Sequence, residues 1–271
     1  MKQRTKRNVM LSLAGMIPVA GFCACWLIPL CMTFWYAFQH SAFDLRFVGL
    51  DNFRYLLGND YFWQGMGNLL LLGGGMIVSA LLTALLTAPL LCAHPRLSGA
   101  GFAILLLPLL IPSVSAVKLW QSVFDTSSFL APASSAASLL TLFLWKYAGV
   151  GAVLLCTALK KIPQSILDAA ALDGAGAIRT YLRIRLPIAG GQLAGVLIVL
   201  TMFMFRVYKE SYLLFGLYPS ADVYMLQHYM NNQYLKMNLQ YVAAAAVVLT
   251  AVALLLYGAG WLILRKGRWL A

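Results

Sequence analysis

Long apolar runs dominate the chain. Stretches that carry no charged residue and are long enough to cross a membrane occupy residues 9–38, 61–93, 97–117, 186–205 and 237–264. A sixth apolar stretch, residues 139–159, contains a single charge, Lys146. A helix needs about 20 mainly apolar residues to cross the hydrocarbon core of a bilayer. The pattern therefore predicts six transmembrane helices.

The arrangement of polar residues within these runs distinguishes two classes of membrane fold. Strands of a membrane β-barrel are segments of about ten residues in which polar and apolar side chains alternate, whereas these runs are longer and do not alternate. The sequence therefore predicts an all-α membrane protein. It shows no internal repeat and no break in composition, so residues 1–271 are predicted to form a single transmembrane domain. Prolines within the runs predict kinks at Pro18, Pro29, Pro89, Pro108 and Pro112.

The composition excludes an ordinary soluble protein. Hydrophobic residues make up 62% of the chain and charged residues 10%, with a mean hydropathy of +0.80. Soluble domains are roughly half apolar and a quarter charged. Because so few charged side chains cannot cover a soluble surface, lipid or other protein must surround most of this chain.

The net charge of +12 is explained by membrane topology. A basic chain raises the possibility of nucleic-acid binding, but here the charge is confined to particular segments. Thirteen of the 20 Lys and Arg residues lie within residues 2–7, 96, 160–185 and 265–268. With six spans these segments share one side of the membrane, which the positive-inside rule assigns to the cytoplasm. Both termini are predicted to be cytoplasmic, and no nucleic-acid partner is expected.

The reactive side chains do not form a catalytic or metal-binding pattern. The five cysteines lie in apolar stretches, without the spacing of metal ligands or of a disulfide framework. His40, His94 and His228 are scattered and are predicted to lie at the membrane edges. A zinc site needs such ligands in a cluster, so neither a metal nor an enzymatic activity is expected.

The loop between the fourth and fifth predicted spans, residues 160–187, has its own pattern of helices. Residues 164–172 are typical of a short helix, and Asp173-Gly174 is a turn signal. Asp173 is then predicted to cap a second helix that extends through Arg185. A positive φ is expected at Gly174, where the two helices meet.

This loop carries a motif with fixed spacing. Asp168-Ala169-Ala170, Gly174 and Ile184-Arg185-Leu186-Pro187 are separated by three and nine residues. The segment resembles the EAA loop of the membrane subunits of bacterial ATP-binding-cassette (ABC) importers, whose pattern is EAA, three residues, Gly, nine residues and I-x-L-P. Asp168 is the single departure, since the pattern has Glu there.

A second resemblance lies outside the loop. Residues 47–53 (FVGLDNF), residues 61–63 (YFW), Asn68 and residues 224–234 (YMLQHYMNNQY) are similar to carbohydrate-type permeases of the maltose, multiple-sugar and glycerol-phosphate class. Among heterodimeric systems the chain is more similar to the first permease than to its partner.

The resemblance implies a six-helix, type I ABC importer permease in the bacterial cytoplasmic membrane. Its implied partners are a second permease subunit, two ABC ATPase subunits and an extracellular solute-binding protein. The chain lacks a G-x-x-x-x-G-K-[ST] phosphate loop, so ATP and magnesium are expected on the partner ATPases and no cofactor is expected on this chain. The residues implied to couple transport to the ATPase are Asp168, Ala169, Ala170, Asp173, Gly174, Ile184, Leu186 and Pro187.

Charged residues inside spans are candidates for the solute pathway. Lys146 lies within the fourth span, and Arg206 and Glu210 are spaced as an (i, i+4) pair near the end of the fifth. Arg206 and Glu210 form a polar, aromatic cluster with Tyr208 and Tyr212. This cluster either binds sugar hydroxyls or is the solvated end of the span.

The sequence thus predicts a permease subunit that imports a sugar, an oligosaccharide or a sugar-like solute. Two alternatives stay open. The first is an ABC importer for a non-sugar solute, because the loop motif is shared across solute classes. The second is a secondary transporter that needs no ATPase.

Overall fold

The computed structural model describes residues 15–16, 18–41, 43–93, 95–124 and 134–267. The N-terminal basic run, the first residues of the first predicted span and His94 lie outside the described residues. Within them, the secondary structure is helical apart from one isolated bridge between Gln39 and Phe47. The predicted all-α fold class is confirmed.

The helices are numbered in chain order. They are α1 (Pro18–Tyr36), α2 (Asp51–Leu57), α3 (Asp60–Ala93), α4 (Pro95–Leu110), α5 (Ser113–Val123), α6 (Ser135–Leu159), α7 (Gln164–Leu172), α8 (residues 177–188), α9 (Gly190–Arg206), α10 (Tyr208–Phe215), α11 (Leu226–Leu235) and α12 (Leu239–Gly267). Three of them contain one π-helical turn each, at Cys23–Leu27 in α1, Leu144–Ala148 in α6 and Tyr181–Arg185 in α8.

The described helices provide five continuous candidate spans and one broken span. The continuous spans are α1, α3, α6, the combined α9 and α10, and the first part of α12. In the third predicted span, α4 and α5 meet at an angle of 102°. The break occurs at Pro112, because proline lacks an N–H and disfavours helical geometry in the residue before it. Five spans and the broken pair together correspond to the six predicted.

The described residues form two compact units. One contains residues 15–60 and 230–253, and the other contains residues 61–229 and 254–267. In the first unit, the side-chain amide of Asn52 donates hydrogen bonds to the carbonyls of Ala37 (2.9 Å) and Gln39 (2.7 Å), which fixes the chain after α1. The organisation of residues 1–271 as a single domain stays a prediction.

In the second unit, a stripe of small residues on α3 allows close helix packing. Its buried positions recur every three or four residues and include Gly73, Ala80, Ala84 and Ala88. A Cβ added to Gly73 would lie 2.8 Å from the sulfur of Met204 on α9. Small residues at membrane-helix interfaces let backbones approach in this way, so Gly73 allows α3 to contact α9 closely at Met204.

Candidate functional site

Residues 160–187 form a helix, a turn and a second helix, as predicted. α7 ends at Leu172, and Gly174 has a φ of +73°. This confirms the positive φ expected at Gly174, in a region that side chains with a Cβ rarely adopt. A Cβ at Gly174 would meet nothing within 4 Å. Backbone conformation, and not crowding, therefore favours glycine at this position.

The prediction that Asp173 caps the second helix is wrong. Asp173 is the C-cap of α7, and the N–H groups of Gly174 and Ala175 return to the carbonyls of Ala171 (3.0 Å) and Ala170 (2.9 Å). This pair of bonds is a Schellman motif, in which a left-handed glycine satisfies the last carbonyls of a helix. Asp-Gly therefore ends the first helix, and α8 begins later, at Ala177.

The predicted coupling residues differ in exposure. Asp168, Ala169, Asp173, Gly174 and Pro187 are exposed, whereas Ile184 and Leu186 are half-buried. Ala170 is only 5% exposed and packs inside this chain. The Asp168 carboxylate accepts a hydrogen bond from the side chain of Gln164 (2.9 Å).

Two apolar residues of this segment were missed by the sequence reasoning. Leu172 and Ile178 flank the turn and are 89% and 77% exposed. Large apolar side chains as exposed as these, on a segment outside the candidate spans, are candidates for contact with another protein. Their position on either side of the turn glycine is the sequence signal that would have identified them.

One hydrogen bond ties this segment to a membrane span. The Tyr181 hydroxyl of α8 donates to the carbonyl of Leu85 on α3 (2.7 Å). The usual helical donor for that carbonyl is the N–H of residue 89, and residue 89 is proline. Tyr181 therefore satisfies an acceptor that Pro89 leaves free.

A second group of polar residues surrounds a cavity of about 460 Å³ beside the break between α4 and α5. Its lining combines apolar residues of α4 with charged residues of α6, α9 and α10. The lining residues are Leu109, Leu110, Ile111, Pro112, Ser113, Lys146, Tyr147, Phe203, Arg206, Lys209 and Glu210. All of them belong to the second unit.

A buried ion pair lies in this lining. The Nζ of Lys146 is 2.5 Å from Oε1 of Glu210, and their side chains are 5% and 2% exposed. Ser113 Oγ accepts from Lys146 (3.1 Å) and donates to Glu210 Oε1 (2.8 Å), and the Tyr147 hydroxyl also donates to that oxygen (3.1 Å). Glu210 Oε2 is buried and has no hydrogen-bond partner among the described residues.

This pairing corrects the sequence prediction. Glu210 was predicted to pair with Arg206 at (i, i+4), but the described structure pairs it with Lys146. α9 ends at Arg206 and a new helix begins at Tyr208, so the regular spacing on one helix face is interrupted. Lys146 lies in a π-helical turn, a local widening that occurs frequently at functional sites.

The predicted pathway residues therefore separate into two groups. Lys146, Arg206 and Glu210 line the cavity, whereas Tyr208 and Tyr212 do not belong to its lining as described. Tyr208 packs edge-on against His228, at 4.9 Å between ring centroids. His228 was predicted to lie at a membrane edge, and in this unit it is fully buried.

No protein-family model matches the chain. The chain is 30% identical to the sn-glycerol-3-phosphate transport system permease protein UgpA of Escherichia coli O157:H7, across 69% of this chain and 67% of the relative. The chain belongs to the permease subunits of bacterial ABC importers. The protein of the same name from Salmonella typhimurium is 29% identical to this permease over the same shares of both chains.

Solved structures show the same fold for this permease. A chain of a bacterial ABC transporter involved in the import of the acidic polysaccharide alginate matches with a TM-score of 0.81 and 20% identity, over 97% of this chain and 98% of the other. A chain of the bacterial alginate ABC transporter in complex with an alginate pentasaccharide-bound periplasmic protein also gives 0.81, with 19% identity. The predicted family is confirmed, and this subunit is a multi-pass membrane protein and not the ATPase.

Proposed function

We propose that this permease subunit translocates a sugar, an oligosaccharide or a sugar-like solute, driven by ATP that separate subunits hydrolyse. The observation that carries the proposal is the exposed helix, turn and helix of residues 160–187, fixed by the Schellman motif at Gly174 and presenting Leu172 and Ile178. The relatives named for sn-glycerol-3-phosphate transport and the fold shared with an alginate importer support the solute class.

The proposed assembly contains a second permease subunit, two ABC ATPase subunits and an external solute-binding protein. ATP and magnesium bind the ATPases, and this chain holds no cofactor. Two features of the described chain support a membrane partner. The most hydrophobic part of α1 has no buried residue. Arg206 and Lys209 are exposed within the candidate span Gly190–Phe215. Charged side chains at such positions favour contact with protein or with an aqueous path over contact with lipid.

The proposed orientation places both termini and residues 160–187 in the cytoplasm. It rests on the concentration of basic residues in these segments. In this orientation the exposed surface around Leu172 faces the ATPases. The bond between Tyr181 and Leu85 then carries movement of the docked segment into α3. ATP shifts the spans between their two states only as far as it binds one state of the assembly more tightly than the other.

Docking of the ATPase on residues 160–187 is tested by introducing a charge at Leu172. Leu172→Asp places a carboxylate on an apolar contact and should abolish copurification of the ATPase and uptake in proteoliposomes. Leu235→Asp is the matched control, since Leu235 is 58% exposed and is proposed to lie on the outer side. It should retain the ATPase. Equal retention of the ATPase by both variants would contradict docking through this segment.

The turn is tested with two glycines of the same loop. Gly174→Ala forces a Cβ into the left-handed region, at a cost of about 1–2 kcal/mol, and should lower the stimulation of ATP hydrolysis by loaded binding protein. Gly176 has a φ of −65° and open space for a Cβ, so Gly176→Ala should leave that stimulation intact. Stimulation that is equal in both variants would show that the turn conformation does not serve coupling.

One measurement separates the proposal from its main alternative. A secondary transporter takes up solute without an ATPase. Uptake that persists in vesicles after the partner ATPases are removed would favour that alternative and refute the proposal.

A further inference from the structure

Two cysteines from different spans are in contact in the second unit. Cys92 lies in the last turn of α3 and Cys156 in the last turn of α6. Their sulfur atoms are 2.6 Å apart, and the Cys92 thiol also donates to the carbonyl of Cys156 (3.4 Å). The same two helices pack closely at Gly151, where an added Cβ would lie 3.1 Å from the side chain of Ala84. Packing of α3 against α6 therefore brings together two thiols that are 64 positions apart in the sequence.

The two thiols differ in exposure. Cys92 is half-buried, whereas Cys156 is fully buried, with 0% exposed. An oxidant dissolved in water therefore reaches Cys92 first. An accessible thiol beside a second thiol is the arrangement of redox-sensing sites, in which the second cysteine resolves the oxidised form of the first.

Burial and contact act on different steps of such an oxidation. A thiol in apolar surroundings reacts slowly with an oxidant, because the thiolate is the reactive form. The step between Cys92 and Cys156 is intramolecular, and two reacting atoms already in contact react much faster than two that must meet by diffusion. The pair is therefore suited to respond to a sustained excess of oxidant.

We propose that Cys92 and Cys156 form a modification site at which a peroxide links α3 to α6 through a reversible disulfide. Hydrogen peroxide transfers one oxygen atom to the Cys92 sulfur, which gives a sulfenic acid and one water molecule. The Cys156 sulfur then attacks the sulfenic sulfur, and the hydroxyl group leaves with the Cys156 proton as a second water molecule. The two thiols lose two electrons and the peroxide gains them. Two molecules of glutathione reverse the bridge by exchange and become glutathione disulfide.

The disulfide lies at the base of the segment of residues 160–187. α6 leads directly into this segment, one turn after Cys156. On α3, the Leu85 carbonyl accepts the hydrogen bond from Tyr181 of the segment, and Leu85 lies about two turns from Cys92. Both attachments of the segment to these two spans are therefore close to the bridge.

The bridge restricts the arrangements that α3 and α6 can adopt. A disulfide requires the Cα atoms of Cys92 and Cys156 to stay within about 7 Å of each other. Transport requires the spans to change their packing between two states. Any state in which these two helix ends separate is excluded by the bridge, so uptake should stop while it is present. This consequence rests on the proposed function, whereas formation of the disulfide does not.

The disulfide is tested by mapping it in the folded chain. Membranes that contain the permease are incubated with excess hydrogen peroxide, free thiols are blocked with N-ethylmaleimide, and peptides of the chain are analysed by mass spectrometry. A peptide pair linked through Cys92 and Cys156 should appear, and dithiothreitol should remove it. Cys31→Ala is the matched control, since Cys31 is an exposed cysteine of α1, and it should leave the linked pair unchanged. Absence of the linked pair, or linkage spread over all the cysteines as in the unfolded chain, overturns the proposal.

Single substitutions test the order of the two steps. Cys156→Ala removes the resolving thiol, so the sulfenic acid of Cys92 should persist and be trapped by dimedone. Cys92→Ala leaves only the buried thiol, and dimedone should not label Cys156. Alanine keeps a small apolar side chain at both positions. Labelling of Cys156 that equals the labelling of Cys92 overturns the assignment of Cys92 as the thiol that the peroxide attacks.

The effect on transport is measured in proteoliposomes that contain the complete transporter. Peroxide should abolish ATP-driven uptake by the native complex, and dithiothreitol should restore it. In the variant that combines Cys92→Ala with Cys156→Ala, uptake should persist in peroxide. An equal loss of uptake in both complexes would assign the inactivation to another site and overturn the control of transport by this pair.

The proposal and the proposed function fail in different ways. Uptake without ATP by the reduced native complex would refute the proposed function and leave a mapped disulfide standing. A mapped disulfide that leaves uptake unchanged would refute only the control of transport. Absence of the disulfide in a complex that imports solute with ATP would refute the modification site alone.

Discussion

Removal of a single hydroxyl group, in Tyr181→Phe, tests the contact between the segment of residues 160–187 and α3. The hydroxyl donates to the Leu85 carbonyl at 2.7 Å, in a part-buried position. Burial raises the pKa of the Tyr181 phenol, so the group stays protonated and donates at physiological pH. Phenylalanine keeps the ring and removes only this donor.

The expected loss of stability follows from the Leu85 carbonyl, which accepts this hydrogen bond. A buried carbonyl that loses its donor costs about 1–3 kcal/mol. Because the bond is only part-buried and water can partly replace the hydroxyl, we expect about 1 kcal/mol for Tyr181→Phe. In a Pro89→Ala background, the N–H of Ala at position 89 reaches the Leu85 carbonyl within the helix. There the same Tyr181→Phe change should cost at most about 0.5 kcal/mol, since the carbonyl keeps a donor.

The two backgrounds form a double-mutant cycle, measured by reversible unfolding of the purified subunit in mixed micelles titrated with denaturing detergent. A functional readout accompanies it, the solute imported per ATP hydrolysed in the complex. Tyr181→Phe should lower that ratio in the native background and lower it less with Pro89→Ala. An equal loss of stability in both backgrounds would refute the argument that Tyr181 serves the acceptor vacated by Pro89.

Three further predictions concern the buried pair, a buried histidine and the topology. Lys146→Met leaves Glu210 buried without its cation and should destabilise the subunit by about 3–5 kcal/mol; adding Glu210→Gln should recover part of this in thermal unfolding, and no recovery would contradict the pairing. Burial lowers the pKa of His228 from 6.5 to about 4. Between pH 6.5 and pH 4 the unfolded chain therefore binds more protons at this residue than the folded chain does. The free energy of unfolding should fall as the pH is lowered through this range, by up to about 1.4 kcal/mol per pH unit. A pH series of unfolding that keeps this slope in His228→Phe would contradict it. Asp173→Cys should react with an impermeant thiol reagent only in opened cells and Asp51→Cys in intact cells, and labelling of Asp173→Cys from outside would refute the proposed orientation.

The sequence by itself determined the features that depend on neighbouring residues. Span number follows from run length, because about 20 apolar residues suffice to cross a bilayer whatever they pack against. The positive φ at Gly174 likewise follows from a local turn signal, and the spacing of the motif from Asp168 to Pro187 indicated the family. The sequence predicted kinks at five prolines, among them Pro112, and only the structure showed that the third span breaks there, at an angle of 102°.

The tertiary structure decided which distant residues meet. Lys146 and Glu210 are 64 positions apart, and their contact depends on how α6 packs against α10. A periodicity argument sees only partners on one helix, and it therefore assigned Glu210 to Arg206.

The same limit applies to the remaining differences. Asp-Gly is compatible with the start or the end of a helix, and only the bonds from Gly174 and Ala175 back into α7 show that it is an end. His228 is polar in sequence, yet tertiary packing buries it. Pro89 leaves the Leu85 carbonyl of α3 without its helical donor, and the replacement donor is Tyr181 on α8, 96 residues away in the sequence. Local sequence determines which groups need a partner, and three-dimensional packing chooses the partner.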